Sequence, residues 1–210
     1  MRPYDAAIFD LDGTLIDTLT LRLRAIAACA PRRGLPPVTR EAMMGVISLC
    51  NQEMFAGLYP DVPAAERDAL EAQVMDEEAL ICQDLGEAVF FPGVPAMLRA
   101  LRAGGVRLFI SSAGLERHAR DALGCGSVLP LFEHLACNAP DKIALTAGLL
   151  SGLDPARTAF IGDSDKDVQA AHGNALIALG AGFGYARQCP RFDRTFDTPQ
   201  ALSAYLLGQD

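Results

Sequence analysis

The chain has 210 residues, half of them hydrophobic and 21% charged, with a formal net charge of −8. That length suffices for one large domain, or for a core carrying a smaller insert, around a sizeable interior. The acidic balance argues against nucleic acid or an acidic membrane surface as the main partner, so an anionic substrate must meet a local positive site such as a metal ion or a few basic side chains. Six cysteines stand at positions 29, 50, 82, 125, 137 and 189. They form no Cys-x-x-Cys pair and no zinc pattern. Reduced, mostly buried thiols in a cytoplasmic protein are the expectation. The first strand begins within a few residues of Met1, which leaves no room for a signal peptide, and no apolar run is long enough to span a bilayer.

In chain order, Ala6 to Phe9 is a short apolar run ending in Asp10, as expected of a buried strand that opens into a loop. Residues 17 to about 85 contain no convincing strand. Leu15, Leu19, Leu23, Ile26 and Ala30 recur at helical spacing. Thr39 is expected to cap a second helix running to about Leu49. Leu70, Val74 and Ile81 mark one face of a longer helix starting near Pro63. This stretch reads as a small helical module inserted after the first strand.

The chain returns to a sheet near Phe91. Pro92-Gly93 opens a helix that ends at Gly104-Gly105. Val106 to Ile110 is a second strand, ending in Ser111-Ser112. Residues 114–123, 141–151 and 164–172 read as helices. His134 to Cys137 is a short candidate strand. Thr158 to Ile161 is another strand, ending in Gly162-Asp163, and Ala175 to Leu179 precedes the glycine-rich run 180–184. An edge strand is expected at Arg194 to Phe196. Thr198-Pro199 has the form of an N-cap and first residue of a terminal helix ending near Gly208. Strands alternating with helices give an α/β class, a doubly wound and mostly parallel sheet covered on both faces, with a small all-helical insert. The expected division is residues 1–16 and 86–210 as an α/β core and 17–85 as a helical cap.

In open α/β sheets ligands bind at the carboxyl ends of strands. Three strands here end in a reactive or anion-binding side chain: Asp10, Ser111 and Asp163. Taken singly each has a plainer explanation. Asp12-Gly13 is a common turn signal, Ser111 or Ser112 suits an N-cap, and Ser164-x-x-Asp167 fits a variant of the capping box. Together, Asp10-Leu11-Asp12-Gly13-Thr14 after the first strand and Gly162-Asp163-Ser164-x-x-Asp167 after a later one point to a site.

These residues make the chain resemble the haloacid dehalogenase superfamily, in its phosphatase branch, and within it the phosphoglycolate phosphatase and β-phosphoglucomutase group with a helical cap. The resemblance spans nearly the whole chain, and its first and last motifs are the specific ones. It implies a phosphoric monoester hydrolase with Asp10 as nucleophile, Asp12 as general acid/base, Ser111 as the small hydroxyl residue after the second core strand, and Asp163 and Asp167 as the acidic metal-binding motif. Asp12 must be neutral in the first step, so its role predicts a pKa above that of Asp10, which is expected to stay ionised on the metal. Crowded carboxylates need a cation, and hard oxygen ligands point to Mg²⁺. The implied ligands are Asp10, the backbone carbonyl of Asp12, and Asp163, with Asp167 binding through water or orienting the site.

The third motif departs from the pattern. Relatives with Lys-Pro before the last motif would place the lysine at Asn138, whereas this chain has Asn138-Ala139-Pro140-Asp141-Lys142. Lys142 fits the variant in which the lysine lies in the first helical turn, and the alternative is a solvated surface lysine. Arg22 and Arg24 are read as a solvated helix face, with a substrate contact as the second option. His118 and His172 receive no role, and residues 180–184 are read as a loop at the site's edge. The expected partner is a small phosphorylated metabolite, and the helical module is expected to close over the site and choose it. A sugar-phosphate phosphomutase of the same fold and a phosphate-binding regulatory protein with little turnover stand as alternatives.

Overall fold

The computed structural model describes residues 3–47, 49, 51–139, 141–186, 189 and 191–209. Cys50 and Pro140, named above, lie outside them, as does Ser48 within the span expected for the second helix. Strand β1 is Ala6–Phe9, and all four of its residues are buried, as both faces of a central parallel strand must be. The chain divides into two compact units, Thr18–Gly86 and the remainder, Met1–Asp17 with Glu87–Asp210.

The inserted unit is wholly helical among its described residues. It comprises α1 (Thr18–Cys29), α2 (Arg40–Met44), α3 (Asn51–Leu58) and α4 (Ala64–Leu85). Thr39 caps α2 as expected, its hydroxyl accepting from the Ala42 N–H at 3.1 Å, but the helix gives way to turns after Met44. The buried stripe of α4 is Leu70, Val74, Glu78 and Cys82, a strict i, i+4 row, with Ile81 only half-buried beside it. A glutamate inside that stripe requires a partner. Arg22 supplies it from the buried face of α1: its Nε and Nη2 donate to the Glu78 carboxylate, and its Nη1 donates to Asn51 Oδ1 at 3.2 Å. Arg24 is exposed, as expected for a solvated face, but Arg22 is 8% exposed and belongs to the interior.

The larger unit continues with α5 (Val94–Ala103), β2 (Arg107–Ser111), α6 (Glu116–Cys125), β3 (Phe132–Ala136), α7 (Lys142–Ala147), β4 (Thr158–Gly162), α8 (Asp165–Gly173), β5 (Ile177–Ala181), β6 (Arg194–Phe196) and α9 (Pro199–Leu207). All six strands pair in parallel, in the order β3-β2-β1-β4-β5-β6. Phe9 is in register with Ile110 on one side and Ile161 on the other. Strand order reverses at β1, so the crevice for a ligand opens where β1, β2 and β4 end. The terminal helix begins as expected, with Thr198 Oγ1 accepting from the Ala201 N–H at 3.1 Å.

Several segments shift from their expected bounds, and two show the physical reason. The strand expected at 175–179 starts at Ile177, because Ala175 takes a left-handed turn conformation with φ +57° and the Ala175 and Leu176 N–H groups still bond back to α8. The helix expected over 141–151 stops at Ala147, after which Gly148, Leu149 and Leu150 close turns onto residues three or four back.

Removing one member of a buried ion pair leaves an uncompensated charge. Glu78→Ala is therefore expected to destabilise the protein by about 3–5 kcal/mol, read as a lower urea midpoint, whereas Arg22→Met with Glu78→Leu should lose far less. Equal midpoints for Glu78→Ala and wild type would refute this account of the helical unit's interior.

Candidate active site

The first site loop is built by backbone constraint. Asp10 leaves β1 with its N–H bonded to Ile161 O of β4 at 2.8 Å. Leu11 O then accepts from the N–H groups of Thr14, Leu15 and Ile16, folding Asp12, Gly13 and Thr14 into a tight turn. Gly13 has φ +78°, and a Cβ there would lie 2.3 Å from the Tyr185 ring and 2.7 Å from Asp163 Oδ2. Position 13 must therefore be glycine on two counts, conformation and space. The Asp12-Gly13 turn signal was correctly a turn, and the turn is packed on every side by the site.

Asp163 and Asp167 come from the end of β4 and the first turn of α8. Asp167 is fully buried, and its Oδ2 accepts from the Asp163 N–H (3.0 Å), the Ser164 N–H (2.9 Å) and Ser164 Oγ (2.8 Å). Its Oδ1 is paired with the Lys142 ammonium, 2.5 Å from Nζ. Asp163 Oδ1 accepts from Thr14 Oγ1 at 3.0 Å, which ties the two acidic loops together. A Cβ on Gly162 would meet Asp167 Cβ at 2.3 Å, so the strand must end in glycine for the carboxylate to fold back beneath it.

Lys142 is the first residue of α7 and is 8% exposed, which excludes a solvated surface position. Its Nζ donates to Asp10 Oδ1 at 2.5 Å. A cation at a helix N-terminus is opposed by the macrodipole. Here Asp141 offsets it, its carboxylate capping the helix by accepting from the Ile143 and Ala144 N–H groups. Burial alone would lower the Lys142 pKa, but Asp10 and Asp167 outweigh it and hold it above the ordinary lysine value.

The carboxylates are raised too, which for an acid favours the neutral form. Burial pushes Asp10 up to about 7 despite Lys142, with Asp167 and Asp12 adding repulsion. Asp163 is raised well above the usual range by burial, then by Asp10 and Asp167, with Lys142 and Thr14 opposing. One lysine is thus insufficient for this many acids. Oxygen atoms of Asp10, Asp163 and Asp167 all lie within 4.8 Å of one another. An all-oxygen set of this kind fits a hard divalent cation, which would restore the ionised Asp10 expected from the sequence.

Asp12 points to a different neighbour. Its Oδ1 lies 2.9 Å from His118 Nε2 on α6, a residue to which the sequence assigned nothing. The serines divide. Ser111 is fully buried with its hydroxyl 3.0 Å from Thr146 Oγ1 of α7, and no described contact joins it to Asp10. Ser112 accepts from the Gly114 N–H at 3.1 Å, and a Cβ on Gly114 would lie 3.3 Å from Ser112 Oγ and 3.4 Å from Asp12 Oδ2. Ser112 Oγ and Asp12 Oδ2 thus both border Gly114, whereas Ser111 turns toward α7. Asn138 takes a left-handed conformation, φ +67°, and its Oδ1 accepts from the Glu116 N–H at 3.1 Å. The glycine-rich run is indeed at the site's edge: Tyr185 N–H donates to Gly13 O at 3.0 Å, and its hydroxyl donates to Asp17 Oδ1 at 2.6 Å. Tyr185 was missed because the run has no recognised motif, although its position one residue past a loop following β5 was a usable signal. His172 bonds Asp193 at 3.1 Å, away from these residues in the partners it makes.

The description "haloacid dehalogenase-like hydrolase" matches residues 4–173. The chain belongs to that family. Within it, the kinship is with phosphoric monoester hydrolases. The chain is 27% identical over 199 residues to the phosphoglycolate phosphatase of Xanthomonas campestris pv. campestris, covering 88% of this chain and 86% of the relative. It is 29% identical to the N-acetylmuramic acid 6-phosphate phosphatase of Pseudomonas aeruginosa, covering 86% of this chain and 82% of that one. Among solved structures, a "predicted phosphoglycolate phosphatase" from Haemophilus somnus superposes with a TM-score of 0.80 over 96% of this chain and 97% of the other, at 22% identity, a likeness of fold.

Because Gly13 is closed in by Tyr185 and Asp163, Gly13→Ala is expected to displace the first site loop and lower turnover about 10²-fold, the scale of a small misplacement. Circular dichroism should show the fold retained. Wild-type turnover in this variant would refute the packing argument.

Proposed function

We propose that the protein is a Mg²⁺-dependent phosphatase of small phosphomonoesters, acting through an aspartyl-phosphate on Asp10. The observation that carries this reading is the buried meeting of Lys142 with Asp10 and Asp167, beside Asp163, at the ends of β1 and β4. Residues 1–16 and 86–210 would form the catalytic core, and 17–85 the cap that selects the substrate. Phosphoglycolate is the first substrate to test, since relatives bear its name. Thiols free of disulfides at the five described cysteines fit a cytoplasmic setting.

In the first half-reaction an Asp10 carboxylate oxygen bonds to phosphorus as the ester P–O bond breaks, and Asp12 delivers a proton to the departing oxygen, releasing an alcohol. In the second, Asp12 takes a proton from water as its oxygen bonds to phosphorus. The Asp10–phosphorus bond breaks, leaving inorganic phosphate and a free carboxylate. Lys142 offsets negative charge on Asp10 and the phosphoryl oxygens, and the Ser112 hydroxyl stands ready to donate to them. Asp10, Asp163, Asp167 and the backbone carbonyl of Asp12 would hold the divalent cation, which supplies charge neutralisation when bound.

Assay of purified protein on a panel of small phosphomonoesters should give turnover that disappears with chelator and returns with Mg²⁺. Asp10→Asn should be inactive, and Asp12→Asn should lose about 10²–10⁴-fold, the range for acid/base catalysis. Full activity in Asp10→Asn, or turnover indifferent to metal, would sink the mechanism.

A second outcome needs no turnover. Mg²⁺ at 100 times its Kd should stabilise the folded chain by about 2.7 kcal/mol, seen as a higher Tm. Asp163→Asn should abolish the rise, and an unchanged rise would remove Asp163 from the cation site.

A further inference from the structure

We infer that His118 is a positioning residue for Asp12, fixing which oxygen of that carboxyl carries the transferred proton. This rests on the acid/base reading of Asp12 given above. His118 Nε2 lies 2.9 Å from Asp12 Oδ1, with the histidine side chain 10% exposed and the aspartate's 33%. A carboxylic acid holds its proton on one oxygen, and the other accepts. In the tautomer with its proton on Nε2, the ring donates to Oδ1 and leaves Oδ2 to hold, release and recover the proton. Oδ2 is also the oxygen nearest the Gly114 and Ser112 corner of the site.

The histidine is held for this task by its own supports. It is the third residue of α6, a helix that begins without a side-chain cap from its own preceding residue. Asn138 supplies the missing group from the loop after β3, its Oδ1 accepting from the Glu116 N–H at 3.1 Å and its N–H donating to Gly114 O at 3.0 Å. The first turn of α6 is thereby pinned two residues before His118. An oriented carboxyl needs no rearrangement when the leaving oxygen acquires charge, and this preorganisation is where the rate advantage lies.

The experiment compares kcat/KM for two esters, because that ratio reports the first half-reaction alone in a two-step scheme. One ester has an alkyl leaving group that must be protonated. The other is p-nitrophenyl phosphate, whose anion departs unaided. His118→Leu should lower kcat/KM for the alkyl ester about 10²-fold while leaving the nitrophenyl ester within about threefold, well inside the factor of ten that separates one 1.4 kcal/mol step. His118→Gln, whose amide N–H can reach Oδ1, should restore most of the loss. Equal losses on both esters, or no loss on either, overturn the positioning role. Asp12→Asn separates this failure from a failure of the proposed function. If Asp12→Asn shows the leaving-group dependence and His118→Leu does not, only the positioning role falls. If Asp12→Asn shows none, the acid/base reading falls and the role of His118 falls with it.

Discussion

The contact on which the site depends is the buried ammonium of Lys142 against Asp10 and Asp167. A carboxylate inside protein costs several kcal/mol unless it is paired or bonded. Here three of them converge, and each is stabilised differently. Asp167 gathers three donors on one oxygen, Asp163 takes the Thr14 hydroxyl, and Asp10 takes the lysine. The balance remains short of positive charge, as the upward shifts of Asp10 and Asp163 record. A hard divalent cation would offset that shortfall, which is the part the proposed function gives it.

The fold supplies the convergence through ordinary means. A parallel sheet whose order reverses at β1 sets the ends of β1 and β4 side by side, and short loops turn the chain directly into the next element. The apolar strands are continuous hydrophobic runs because both faces are covered. Asp10 and Asp163 stand just after β1 and β4, and Lys142 and Asp167 come from the first turns of α7 and α8. Local restrictions then sharpen the geometry: glycine at 13 admits Tyr185 and Asp163, and glycine at 162 admits the returning carboxylate of Asp167.

Much of this was legible from residues alone. Asp10, Asp163 and Asp167 announce themselves because their spacing is local and their strands are strongly apolar. The sheet class follows from alternation. What was not legible depends on distance in the chain. His118 and Asp12 are separated by 106 residues, and a histidine on an amphipathic helix carries no signal of what it faces. Ser111 and Ser112 are adjacent, so only the strand's alternation decides which hydroxyl reaches Thr146 and which the Gly114 N–H, and the strand runs one residue beyond its apolar run. Arg22 was misread because the apolar periodicity of α1 gives no warning that its buried face includes a cation. The glutamate in the i, i+4 row of α4 was the available clue.

The third motif has a consequence that reaches past the missing lysine. In the family pattern a loop residue at position 138 would carry the positive charge. In this chain the cation beside Asp10 comes from the first turn of α7, and position 138 is an asparagine. Asn138 has been given a mechanical duty instead, bracing the turn that holds His118. Under the proposed mechanism, loosening that brace would be felt in the departure of the leaving group rather than in the grip on the phosphoryl oxygens.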